Sequence, residues 1–363
     1  MAASPLSRLQ RGLYWTLALA FAAASLTFAA ADAVAKAPKP KPAKARPKAA
    51  APAADPMTEW ELINGAAVEL REKLAKQPRN ESFRDRLADL AVRSAAGAER
   101  SLAIGDASLF DSYRRQFKEL FHDTAWRIGR RAGQGDNAAE FAAGVLALHG
   151  FLAPADVAAA CKHFLAALGK GYAGAKFRAA NCLANDEPAR AEALMREASA
   201  AGHPAAAELV GRACLEAKPP DSACAWEHMT MAASAGRSSA QSLLAWMYAQ
   251  GFGGRAADLP RAARLYLQAA RKGDASAQNN VGELYETGRG LPADPKQAAD
   301  WYRKAAEADF APGQYNLGRL YAAGTGVAKD PVQARSWLEK ADRGGVAPAR
   351  ALLDWMDKQD AIK

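Results

Sequence analysis

Between Gly236 and Gly344 the order of apolar, small and polar residues repeats three times. Aligning Gly236, Gly273 and Asp309 brings Tyr248, Tyr285 and Tyr321 into register, then Gly251, Gly288 and Gly324, then Asp258, Asp294 and Asp330. The period is 36 residues, with one extra residue in the loop after Tyr248. In the copy at 273, Ala277, Val281, Leu284 and Tyr285 are spaced to share one face of a helix. Gly288 supplies the left-handed residue that ends it. Asp294-Pro295-Lys296-Gln297 then restarts the chain, with Asp as N-cap, Pro at the first helical position and Gln three residues on. The second helix is predicted to run to about Ala306, with Ala298, Trp301, Tyr302 and Ala305 inward. Neither helix buries its apolar face alone, so the copies are expected to stack.

The period continues upstream in weaker form. From Gly135 it places Gly144, Gly150 and Asp156 where Gly282, Gly288 and Asp294 stand; Gly171 and Gly202 open two shorter units. Six units therefore span 135–344, strong over 236–344 and degenerate over 135–235, where Cys214 takes the place of the Tyr. A half-unit and tail, 345–363, carries Asp357 at the Tyr position, a polar residue suited to a capping helix with no neighbour beyond it. Residues 57–134 lack the period. There Met57–Lys76, Phe83–Ile104 and Ser108–Arg131 read as amphipathic helices, expected to form an N-terminal helical cap or, alternatively, a separate small binding domain.

The stretch Ala275-Ser276-Ala277-Gln278 through Ala306 resembles the Sel1-like repeat, a relative of the tetratricopeptide repeats, with Leu291 in place of a Val. The following copy keeps Gln314, Leu317, Gly318, Tyr321, Gly324, Gly326, Val327 and Asp330. The resemblance implies an all-α fold, a right-handed α-solenoid of stacked helix pairs whose first helices line a concave groove. Groove positions lie between the packing residues: Asn279 and Glu283, with equivalents Phe177 and Asn181, Glu208 and Arg212, Ser242 and Trp246, and Tyr315 and Arg319. All ten are expected to be exposed. Glu and Arg beside aromatics point to a polypeptide ligand, and Trp and Tyr to its anchors. Trp246 reads equally well as a structural residue of the groove wall. The function the resemblance implies is a non-catalytic scaffold or adaptor for another envelope protein or peptide, working as a monomer.

Charge and composition narrow the partner. The formal net charge is +9, but residues 1–56 carry +6 of it and the other 307 only +3, so the folded body offers no field for a nucleic acid. At 8% aromatic and rich in Ala, the composition suits close-packed helices. Residues 1–31 contain Arg8 and Arg11 and then an uncharged apolar run, Leu13–Ala31, ending in small residues, the pattern of a signal peptide or a membrane anchor. Residues 32–56 are rich in Lys, Pro and Ala and are expected to form an extended linker, with contact to anionic headgroups as the alternative. A periplasmic location follows, with membrane association through residues 13–31 or the basic linker. Six Lys/Arg after the apolar run against two before it favour the rival topology, an anchored adaptor with a cytoplasmic repeat domain.

No catalytic, cofactor or metal motif is present: His122, His149, His163, His203 and His228 are scattered, and neither Cys-x-x-Cys nor a Ser-x-x-Lys arrangement occurs. No cofactor is expected. An envelope hydrolase or glycan-binding module stays open as an alternative. The four cysteines all lie in the degenerate units. Cys214 and Cys224 flank one intra-unit loop, and Cys161 and Cys182 lie on helices that neighbour each other in a stack, so both pairs are disulfide candidates, the first favoured; four small buried core residues are the alternative.

Overall fold

In a computed structural model, residues 56–361 are described with the exception of Gly171; the apolar run and the Lys/Pro segment lie outside the described residues. Seventeen α-helices and no strand occur among the described residues. Four precede the repeats: α1 (Pro56–Lys76), α2 (Glu81–Ile104), α3 (Ala107–Leu120) and α4 (Ala125–Ala132). Six pairs follow: α5 (Asn137–His149) with α6 (Val157–Ala166), α7 (Ala173–Leu183) with α8 (Pro188–Ala200), and α9 (Pro204–Glu216) with α10 (Ser222–Ser234). The strong copies give α11 (Ser238–Gln250) with α12 (Leu259–Arg271), α13 (Ala275–Thr287) with α14 (Pro295–Glu307), and α15 (Ala311–Ala323) with α16 (Pro331–Arg343). Helix α17 (Ala347–Ala361) packs on α16 and closes the stack. From α4 onward each helix packs on the next, which makes the body a solenoid of helix pairs.

The local chemistry repeats with the fold. Asp136, Asp156, Asp221, Asp258, Asp294 and Asp330 cap helices by accepting from backbone N–H groups in the first turn. Gly150, Gly251, Gly288 and Gly324 end first helices at positive φ. Each intra-unit turn in the strong half is closed by one backbone bond from the capping Asp to the Tyr carbonyl: Asp258 to Tyr248 (2.9 Å), Asp294 to Tyr285 (2.8 Å) and Asp330 to Tyr321 (3.0 Å). A glycine midway along a first helix admits a large side chain of its partner. A Cβ on Gly144 would lie 2.6 Å from the Phe164 ring, one on Gly282 2.7 Å from the Tyr302 ring, and one on Gly318 2.8 Å from Leu338.

Two contacts join one strong unit to the next. Gln241, Gln278 and Gln314 each reach back to a carbonyl of the preceding second helix, at Ala233 (3.2 Å), Ala270 (3.2 Å) and Ala306 (3.3 Å). The second glycine of each loop nests on the start of the preceding second helix: a Cβ on Gly290 would meet the Leu259 carbonyl at 2.8 Å, and one on Gly326 would strike the Pro295 carbonyl. These glycines do more than turn the chain; they let one loop sit against the helix N-terminus of its neighbour.

The first four helices depart from a simple end cap. The helix expected over Ser108–Arg131 is broken by a 3-10 turn at His122–Thr124. Phe121 is fully buried against Phe117, and Thr124 Oγ1 donates to the Phe121 carbonyl at 2.7 Å, so the chain bends there to sink Phe121 and Ile128 into one core. Arg71 takes up the exposed helix end by donating to the Leu120 carbonyl at 2.9 and 2.7 Å. Helix α2 then runs across the face lined by first helices, packing on α5 and α9.

Candidate functional site

The first helices α5, α7, α9, α11, α13 and α15 share one face, and the ten sequence-predicted groove residues lie along it. Its two halves differ. Over α5, α7 and α9 the face is occupied by the chain's own α2. Glu99 of α2 is 2% exposed and is held by Arg178 of α7 through paired bonds of 2.6 and 2.8 Å. His149 of α5 lies 3.6 Å from the same carboxylate. Burial opposes ionisation of Glu99, yet His149 and Arg178 hold its pKa down to about 2. At the C-terminal end of α2, Arg237 donates to the Ala103 carbonyl at 2.6 Å and also pairs with Glu208. Gly105 caps α2 at φ 86°.

This arrangement corrects part of the expected exposure. Glu208 is 5% exposed: burial works against its charge, but Arg237 and Arg212 keep its pKa low. Arg212 is half-buried and tied to Glu208 at 2.9 Å. Ser242 and Asn279 are 6% and 9% exposed, because each links neighbouring first-helix segments: Ser242 Oγ donates to Asp274 at 3.1 Å, and Asn316 donates to Asn279 at 2.9 Å. Phe177 is half-buried and stacks on His203 at 4.4 Å between ring centroids. Asn181 is half-buried. His203 caps α9, its Nδ1 accepting from Ala206 N at 3.2 Å, while its buried Nε2 has no hydrogen-bond partner among the described residues. Burial first, and the charges of Arg178 and Arg237 after it, lower its pKa to about 4 against the pull of Glu99.

Beyond Arg237, helix α2 no longer covers the face. Trp246 on α11 is half-buried, packed at the edge of the core around Val281 and 5.8 Å from the Phe252 ring. Tyr315 on α15 packs beside the Leu338 cluster and stays half-buried. Arg319 is half-buried and donates to Glu286 at 2.7 Å; Glu286 also accepts from the Tyr302 hydroxyl at 2.9 Å. Burial opposes the Glu286 charge, and Arg319 and Tyr302 lower its pKa nonetheless. Glu283 on α13 is half-buried, and burial raises its pKa; Arg289 and Arg319 favour its ionisation from a distance, while Glu286 disfavours it.

One residue of this row was not among those expected. Trp355, 55% exposed, stands eight residues past the first residue of α17, as Trp246, Glu283 and Arg319 do in α11, α13 and α15. The repeat register alone would have found it. The Glu99, Arg178 and Arg237 contacts had no such signal, since they arise from the packing of a non-repeat helix.

Two disulfides lie in the degenerate half: Cys161–Cys182 joins α6 to α7 and Cys214–Cys224 spans the α9–α10 turn, with Cα–Cα distances of 5.8 and 5.9 Å. Such bonds point to an exported, oxidising compartment. Among the described residues no group of three or more His, Cys, Asp or Glu side chains is placed to hold a metal, and no helix is long and apolar enough to cross a membrane.

A family model described as Sel1 repeat matches residues 238–274, 275–310 and 311–345, the three strong units. Among solved structures, a Sel1 repeat protein from Oxalobacter formigenes is similar at 24% identity with a TM-score of 0.50, covering 67% of this chain and 96% of that one. The c5321 protein of uropathogenic Escherichia coli, described as a protective antigen displaying an SLR fold, is similar at 21% identity with a TM-score of 0.60, covering 83% of this chain and 72% of that one. No curated protein matches. At these identities the likeness extends to the fold. With three matched repeats falling on the last three stacked helix pairs, residues 238–345 carry three Sel1 repeats.

Proposed function

We propose that this protein is a non-catalytic scaffold of the periplasm that holds a polypeptide partner against the open half of its first-helix face. Sel1-type folds typically serve as protein–protein interaction scaffolds and generally carry no catalytic machinery. The observation that carries the assignment is the row Trp246, Glu283, Arg319 and Trp355. These side chains remain half-buried or exposed on a face whose other half is covered by α2. Large aromatic and arginine side chains on a rigid helical wall are the usual anchors of polypeptide contacts. The periplasmic part rests on the two disulfides and on the apolar run Leu13–Ala31.

Two measurements test this. A reporter active only in the periplasm, fused after residue 130, is expected to be active; silence would remove the export claim. Trp246→Ala and Tyr315→Ala together are expected to weaken partner capture at least tenfold while the melting temperature moves by only a few degrees. Unchanged capture would remove the open face as the binding surface.

A further inference from the structure

We infer that the polypeptide held on the open half presents a lysine or arginine side chain to Glu283, with apolar residues on either side directed toward Trp246 and Trp355. This rests on the scaffold reading above and adds the chemistry of the partner.

The occupied half shows how this face receives a helix. There the face supplies cations, Arg178 and Arg237, and α2 answers with the Glu99 carboxylate and the Ala103 carbonyl. Glu99 is matched across that contact by Arg178, and Arg237 is matched beside it by Glu208, as burial demands. The open half has the opposite need. Arg319 is already neutralised by Glu286 at 2.7 Å, just as Arg212 is by Glu208 at 2.9 Å. Glu283 is half-buried, and among the described residues it receives no side-chain hydrogen bond; burial raises its pKa against the pull of Arg289 and Arg319. An acidic or neutral segment laid over Glu283 would strip water from that carboxylate and return nothing. A basic side chain would restore the match.

Position adds to charge. Trp246, Glu283, Arg319 and Trp355 occupy one register on α11, α13, α15 and α17, so they form a line across successive helices. Helices packed about 8–10 Å apart make that line roughly 25–30 Å long. Such a length suits about nine residues of extended chain or about five turns of helix. Trp246 and Trp355 mark its ends, and Glu283 lies one helix in from Trp246. Helix α2 does not reach this line: its last contact with the face is the Arg237 bond to Ala103, and Gly105 then turns the chain.

The probe is a display library of random 12-residue peptides selected on the full, oxidised chain, followed by fluorescence anisotropy with the enriched peptides. Enriched sequences are expected to carry a Lys or Arg flanked by apolar residues. Replacing that cation with norleucine, or Glu283 with Gln, is expected to weaken binding at least tenfold. The two changes together are expected to weaken it hardly more than either alone. In Glu283→Lys, a peptide with Glu in place of its cation is expected to regain binding. Circular dichroism melting of each variant separates lost binding from lost fold. Peptides that depend on Trp246 and Trp355 but bind equally with and without the cation, or equally to Glu283→Gln, would overturn this inference and leave the scaffold reading standing. Peptides indifferent to both tryptophans, or no enrichment at all, would overturn both.

Discussion

The first three repeats and the last three solve the same packing problem with different chemistry. In the C-terminal half, cohesion comes from the repeat itself. A glycine takes the Tyr302 ring at Gly282 and Leu338 at Gly318, a glutamine reaches back to the preceding unit, and a loop glycine nests on the helix before. In the N-terminal half those glutamines are absent: Lys176 and Ala207 stand at the positions of Gln241, Gln278 and Gln314. Two disulfides, the laid-in helix α2 and a buried cluster of Glu99, Arg178, Arg237, Glu208, His149 and His203 replace them. A degenerate motif therefore does not mean a weak half. Stability has moved from contacts within the repeat to contacts with something outside it, and the face was given up in exchange. Where the repeat holds itself together, α2 leaves the face uncovered.

The sharpest way to break this comparison is to remove the external supports. Glu99→Ala leaves Arg178 facing a buried hole, and a loss of about 3 kcal/mol is expected. Hydrogen exchange should show that loss in α2, α5, α7 and α9 and leave α13–α17 protected. Equal loss in both halves would contradict the division. Replacing both cysteine pairs by serine is expected to cost about 2–4 kcal/mol for each bond, again confined to the N-terminal half. Urea unfolding followed by regional exchange reads it.

Acid acts on the same contrast. His203 has its pKa lowered from 6.5 to about 4, so it favours the fold fully above 6.5 and withdraws that support as pH falls from 6.5 toward 4. Glu99, lowered from 4.5 to about 2, and Glu208, also lowered, support the fold above 4.5 and lose their contribution as pH falls through their folded values. All three changes run in one direction and in one half. In the other half the raised Glu283 and the lowered Glu286 oppose each other. Between pH 7 and 4.5 the N-terminal repeats are expected to lose exchange protection first, and His203→Gln should reduce that sensitivity. The smallest effect concerns the ladder of glutamines: Gln278→Ala is expected to cost about 1 kcal/mol, confined to the α12–α13 junction.

Much of the architecture is legible in the chain. The 36-residue period, the stops at Gly251, Gly288 and Gly324, and the Asp-Pro restarts at Asp294 and Asp330 are local rules, and the helices obey them. Unit register makes Cys161 and Cys182, and Cys214 and Cys224, candidate pairs, and both bonds are formed. What escapes is what periodicity does not encode. The small-residue face of α2, with Ala95, Ala98 and Ala103, buries as deeply as a leucine face but leaves little contrast with the polar side. Its seat across the first helices depends on Arg178 and Arg237, two among many surface-like arginines. Ser242 and Asn279 sit at groove register, yet they bury themselves by bonding to the next unit through Asp274 and Asn316. Register tells which residues face a direction; it does not tell which of them find a partner within the chain.

Phe177 and Tyr315 occupy equivalent positions, four residues past the first residue of α7 and α15, one in each half of the face. Replacing each in turn with the photo-reactive residue benzoylphenylalanine and irradiating living cells compares the halves directly. Cross-links from position 177 to residues of this chain alone, and from position 315 to a second polypeptide, are the predicted result. Adducts to other proteins from 177 with none from 315 would contradict the account.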